Sequence, residues 1–214
     1  MRYLLVLVHV CILAGCPVPI DDDDHAHEPE SFGFENSGDP DLEGHTPRGF
    51  QGQGGGLFVG DNLNAGFPEG DGVQIFLTVP LDGAFSDDHE WEIASAELSS
   101  DEVDVRGTPF EDLGDLTAEE IRFDAFSSAL WDAEVEDDGG SCTFAASADG
   151  PFACDLADAL QNSVDDGYDF LQLRFRLEEA GDSDGSQDMV LFFIGDSNST
   201  SPGIFELQVE AVPM

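Results

Sequence analysis

The chain contains no lysine. Its basic complement is six arginines in 214 residues, set against 47 aspartates and glutamates, for a formal net charge of −41. That scarcity excludes nucleic acid as a partner, because phosphate binding needs clustered basic side chains. It disfavours anionic lipid surfaces for the same electrostatic reason. Long apolar runs are missing too, apart from Tyr3 to Leu13, which is broken only by His9. Eleven residues are too few to cross a bilayer as a helix, which takes about 20. The sequence has no Gly-x-Ser-x-Gly elbow, no His-Glu-x-x-His, no phosphate-binding loop and no dinucleotide fingerprint. The familiar nucleophile, zinc-hydrolase and nucleotide chemistries therefore have no signature here. A hydrolase with paired carboxylates stays open as the alternative function, since such pairs are defined by separation in space. Cysteine is scarce, with four in the chain.

What is present begins at the N-terminus. Arg2 precedes the apolar run, and the run closes on Leu13-Ala14-Gly15-Cys16. A short apolar core ending in small residues reads as a signal peptide. The tetrad resembles a bacterial lipobox. That resemblance implies cleavage before Cys16, acylation of the cysteine, and a mature chain held on a membrane by its lipid anchor, outside the cytoplasm in the cell envelope. One acyl chain anchors marginally, whereas several hold a protein stably. Pro17 stands where an aspartate commonly marks retention at the inner membrane, which favours the outer membrane or cell surface. Residues 1–15 are thus the leader. Residues 16–32, which include Asp21 to Asp24, cannot bury apolar area and read as an acidic, disordered tether. Residues 33–214 suffice for a single domain.

Removing residues 1–15 takes away Arg2 and no acid. With 41 % hydrophobic residues the remainder is a foldable domain with an acidic skin rather than a disordered polyanion. Self-repulsion at this charge destabilises the compact state at low salt. The absence of lysine resembles proteins of saline habitats. Cys11 leaves with the leader and Cys16 carries lipid, so Cys142 and Cys154 remain as one pair. In an exported chain the default reading of such a pair is a disulfide.

Periodicity points to an all-β domain. Leu171, Leu173, Phe175 and Leu177 alternate with Gln172, Arg174 and Arg176, the period of a half-buried strand. Met189 to Ile194 is continuously apolar and suits a central strand. Phe205 to Ala211 alternates again. Further strands are predicted over 57–59, 73–79, 91–98, 103–105, 129–135 and 142–146, and 33–56 reads as glycine-rich and irregular. One short helix is predicted over 156–164, with Asp155 able to cap it. Many short strands between Gly, Asp and Pro turns predict an antiparallel β-sandwich of jelly-roll type.

Several stretches resemble DNRLRE-type β-sandwich domains, relatives of carbohydrate-binding modules. They are Leu57-Phe58-Val59-Gly60-Asp61-Asn62, Ile93-Ala94-Ser95-Ala96-Glu97-Leu98, and Val105 to Phe110 followed by Leu113-Gly114-Asp115-Leu116. The last is Leu171 to Leu177 followed by the acidic segment 182–188. The resemblance covers roughly Leu57 to Val212. It implies an extracytoplasmic, non-catalytic sandwich.

Asp182, Asp184 and Asp188, with Gly185 at the turn, place oxygen ligands in the pattern of a calcium loop. The bidentate glutamate of a full EF-hand loop is missing. Asp39, Asp41 and Glu43 form a second, weaker acidic cluster. His25 and His27 lie in the tether, where no geometry is fixed. His45 and His89 fall in loops with no partner visible in the sequence. Trp91, Trp131 and Tyr168 are the aromatic candidates for stacking on a sugar. The strand contexts of the two tryptophans favour core packing, and Tyr168 is better placed for exposure. The expectation is a lipid-anchored envelope protein with a non-catalytic sandwich, whose partner is a surface glycan or another envelope protein.

Overall fold

The computed structural model describes residues 27–48, 56–62, 72–85, 89–101, 103–135, 139–144, 152–182, 184–195 and 201–214. The lipobox with Cys16, the run Asp21 to Asp24, and His25 lie outside them.

In chain order the strands are β1 (Glu30–Glu35), β2 (Gly44–Pro47), β3 (Leu57–Asp61), β4 (Gly72–Pro80), β5 (Trp91–Ser100) and β6 (Asp104–Arg106). They continue as β7 (Leu116–Glu120), β8 (Ser141–Thr143), β9 (Phe152–Asp155), β10 (Phe170–Leu177), β11 (Asp188–Phe193) and β12 (Glu206–Pro213). Helix α1 (Pro109–Asp112) precedes β7, and α2 (Ala157–Asp165) lies between β9 and β10. No described helix is long and apolar enough to cross a membrane.

Two antiparallel sheets pack as a sandwich. One has the order β1-β12-β5-β9; the other runs β6-β11-β3-β4-β10-β7-β8, with β2 also paired to β4. Strand β10 shows how the sequence builds the core. Its alternating Leu171, Leu173, Phe175 and Leu177 are all buried between the sheets. Phe175 meets Phe205 at 5.1 Å and Phe144 at 5.6 Å between ring centroids, and Phe205 meets Phe192 at 4.6 Å. These aromatics bind the two sheets into one apolar layer. The expected helix forms one residue later, over Ala157–Asp165, with Leu156 rather than Asp155 at the N-cap and no side-chain cap; Asp155 accepts from the Ala157 amide from one residue further out.

Cys142 and Cys154 are disulfide-bonded. Cys142 lies on β8 and Cys154 on β9, each an edge strand of its own sheet. The bond therefore ties the two sheets together along one open side of the sandwich.

Residues 129–135 are not a strand. Ser128–Asp132 forms a 3₁₀ helix. Leu130 and Trp131 are adjacent and both buried. A half-buried strand would send neighbouring side chains to opposite faces, whereas three residues per turn lets both turn inward. The segment lies across the outer face of the larger sheet. There Phe76, Ile121 and Leu130 make a second, smaller core with Phe123, Phe126 and Ala133 packed against it. Within the region expected to be irregular, β2 forms against β4. Strand β1 begins at Glu30, inside the stretch read as tether, and pairs with β12 from Glu30↔Ala211 to Glu35↔Glu206.

Candidate functional site

The cover over the larger sheet and its surroundings engage Arg122, Arg174 and Arg176. Gln172 and Arg174 point outward from β10 as the alternation requires, yet both are buried because the 121–133 segment lies over them. The Gln172 side-chain amide pairs with the cover as a strand would: it donates to the Phe123 carbonyl and accepts from the Phe123 amide, both at 3.0 Å. Arg174 donates to the Ala133 carbonyl at 2.9 Å and to Glu119 at 2.7 Å. Arg176 donates to the same carboxylate at 2.7 Å. Burial is the largest single influence on Glu119 and pushes its carboxyl up. The hydrogen bonds from Arg176 and Arg174, together with their charges, outweigh it and hold the carboxyl below its ordinary value of 4.5.

The next residue, Glu120, is fully buried. One oxygen accepts from Arg122 and Ser163, the other from the Gly140 amide and Asn162. It joins β7, α2 and the approach to β8 into one network. Arg122 also lies over the Tyr168 ring, 4.4 Å from its centroid. Both acid–arginine arrays have their oxygens occupied by groups of the protein itself and serve the fold.

A cleft of about 570 Å³ opens at the end of the smaller sheet. Trp91 begins β5 there, Phe85 and His89 come from the connection preceding it, and Gln161 and Asp165 come from α2. Gln161 sets this corner. It accepts from the Ile93 amide at 2.8 Å and donates to the Trp91 carbonyl at 3.0 Å and to Asp165 at 2.8 Å. Trp91 is 6 % exposed, and its ring meets Phe32 and Phe85 edge-on at 5.7 and 5.6 Å. The buried indole nitrogen has no hydrogen-bond acceptor among the described residues. Glu90 and Glu92 add carboxylates to the rim.

The other sequence candidates are placed apart. Trp131 is 9 % exposed and belongs to the outer cover. Tyr168 is 40 % exposed, with Arg122 on its ring. His45 is on a strand rather than in a loop: its Nδ1 lies 3.2 Å from the Gly56 carbonyl and its ring packs against Phe58. His27 is exposed, and His89 stands beside Trp91. Glu43 is buried and accepts from Asn36 and the Gly38 amide, while Asp39 accepts from the Asp41 amide. That cluster is a braced turn. Asp182 and Asp184 are spent on the turn as well, accepting from the Asp184 and Ser186 amides. Asp188 has left the loop for the start of β11, where its Oδ1 accepts from the Thr108 amide at 2.6 Å. The three aspartates thus occupy different surroundings. Among the described residues no three His, Cys, Asp or Glu side chains gather into a metal-binding group.

No protein-family model matches the chain, and no curated protein matches it. The likeness to DNRLRE-type domains rests on the motifs quoted above.

Proposed function

We propose that this is a lipid-anchored protein of the cell envelope whose β-sandwich is a non-catalytic binding module, and that its ligand is a neutral surface glycan held in the Trp91 cleft. The observation that carries the reading is that Trp91, which lines the cleft, has a buried indole N–H without an acceptor among the described residues. A buried donor left unpaired costs about 1–3 kcal/mol, and a sugar hydroxyl supplies the missing acceptor. The carboxylates of Glu90, Glu92 and Asp165 accept from hydroxyl donors and repel anionic ligands. Aromatic and aliphatic area from Phe85, Trp91 and Val164 faces the apolar side of a pyranose. The lipobox and the acidic tether support attachment to the envelope.

The test is a glycan array probed with the soluble domain and with Trp91→Phe, which keeps an aromatic ring and deletes the N–H. Binding confined to neutral glycans and weakened about tenfold in the variant is expected, the equivalent of about 1.4 kcal/mol. A flat array overturns the glycan reading. The three carboxylates also favour the hydrolase alternative, so the same oligosaccharides are assayed for new reducing ends. Their appearance, and their loss in Glu92→Gln or Asp165→Asn, would replace the non-catalytic reading.

A further inference from the structure

A second cleft, of about 460 Å³, opens at the other end of β5. Ser100 ends that strand and Asp101 follows it, while Glu206 begins β12 and Phe193 ends β11. Ser201 and Ile204 come from the segment leading into β12. The walls therefore draw on both sheets. The alternation of β5 buries Ala96, Leu98 and Ser100 in turn, and the first two belong to the main core. Ser100 thus stands in the place of a core residue, 2 % exposed, and carries a hydroxyl there. Ser100 lines the cleft, and its buried hydroxyl has no hydrogen-bond partner among the described residues. Buried polar atoms are ordinarily paired.

Asn36 fixes the Ser201–Ile204 wall. Its side-chain amide donates to the Ser201 carbonyl at 3.0 Å and accepts from the Phe205 amide at 3.0 Å. Its backbone amide donates to the Phe205 carbonyl at 3.1 Å. Buried Glu43 accepts from the same side chain at 3.1 Å. The wall is held before a ligand arrives, which lowers the ordering cost of binding.

We propose that this cleft is a second binding site, for a neutral polyhydroxylated ligand, so that one molecule joins two glycan strands at its opposite ends. The ligand class rests on the glycan reading of the Trp91 cleft. Among the described residues no arginine or histidine lines the Ser100 cleft, and Asp101 and Glu206 repel anions while accepting from sugar hydroxyls. No metal-binding group gathers there among the described residues. The Ser100 hydroxyl both donates and accepts, so a sugar hydroxyl supplies its partner. Phe193 and Ile204 add apolar area. A strand rises 3.2–3.4 Å per residue, which sets Trp91 and Ser100 about 30 Å apart. Glu30 pairs with Ala211, Trp91 with Pro213 and Glu35 with Glu206. The chain therefore enters at the Trp91 end, and a molecule held by its N-terminus carries the Ser100 cleft at its far end.

Amide-shift titration of the isotopically labelled full chain with maltohexaose, cellohexaose and chitohexaose tests this. Two separate sets of shifts are expected, one around Ser100 and Ile204 and one around Trp91 and Gln161. Ser100→Ala should weaken the first set about tenfold and leave the second unchanged, and Trp91→Phe should do the reverse. Shifts at Ser100 alone keep the site and overturn the Trp91 reading; shifts at Trp91 alone overturn the site; shifts at neither overturn both. 1,4-Diaminobutane is the cationic comparison, and shifts at Ser100 with the diamine but with none of the sugars overturn the polyol class. Ser100→Ala gives up no hydrogen bond of the free protein, so its thermal midpoint without sugar should not fall. A clear fall would assign the hydroxyl to the fold and overturn the site.

Discussion

Glu119 receives both arginines of β10 on one carboxylate, and that makes it the residue whose removal is most informative. Glu119 and Arg174 are each about nine-tenths buried as side chains, while Arg176 is 40 % exposed. Breaking a buried pair from one side leaves the other charge uncompensated and costs about 3–5 kcal/mol. Glu119→Gln is isosteric, so the loss reads the charge rather than a cavity; a destabilisation of about 3 kcal/mol in chemical denaturation is expected. The sign with pH follows from the lowered carboxyl. A group whose folded value lies below its unfolded value stabilises the fold above the unfolded value, near 4.5. That contribution fades as pH falls through the folded value. The stability gap between the unaltered chain and Glu119→Gln should therefore be constant from pH 7 to 5 and shrink below about 4.5. A gap that persists unchanged to pH 3 would show that the carboxylate charge is not what binds the arginines.

The outer cover depends on side chains acting as backbone. Gln172 pairs with Phe123 through its amide, and Arg174 reaches the Ala133 carbonyl. Gln172→Leu keeps bulk and removes both bonds, so Phe123 amide exchange should accelerate strongly while β10 core amides stay protected. Equal acceleration in both places would mean that the cover and sheet open together. Phe76→Ala removes the centre of the second core and should cost about 3–5 kcal/mol, measured by denaturant unfolding.

Legibility at this scale was uneven for physical reasons. Strand β10 was plain because one face meets the core and the other carries polar groups, and β11 because both of its faces are covered. Strand β7 was hidden because Glu119 and Glu120 are consecutive acids, each satisfied by partners distant in sequence. The 3₁₀ helix read as a strand because adjacent apolar residues give no period. Burial of Trp91 was foreseeable, whereas its cleft draws on α2, the approach to β5 and the C-terminus.

At the scale of the molecule a covalent tie and a large charge act in opposite senses. The Cys142–Cys154 bond joins edge strands of the two sheets across a sequence separation of 12. A loop of about that size contributes roughly 3 kcal/mol by constraining the unfolded chain. A Cys142→Ser/Cys154→Ser double variant should lose about that much, and calorimetry of the two proteins measures it. The charge of −41 works against compactness. Burial thins the few arginines of that surface further: Arg122 and Arg174 are drawn inside and Arg176 is half-covered, which leaves Arg48 and Arg106 exposed among the described residues. The screening length is about 10 Å at 0.1 M salt and about 3 Å at 1 M, so repulsion between neighbouring carboxylates weakens steeply over that interval. The thermal midpoint should rise between 0.1 and 1 M NaCl and flatten beyond it, as screening saturates. KCl at equal ionic strength should give the same curve. The double cysteine variant should show a rise at least as large, because its unfolded chain is free to expand further under repulsion. A midpoint indifferent to salt would mean that the acidic skin costs the fold nothing. A rise that continues linearly past 1 M would assign the effect to exclusion of salt from apolar surface instead of to the missing lysines.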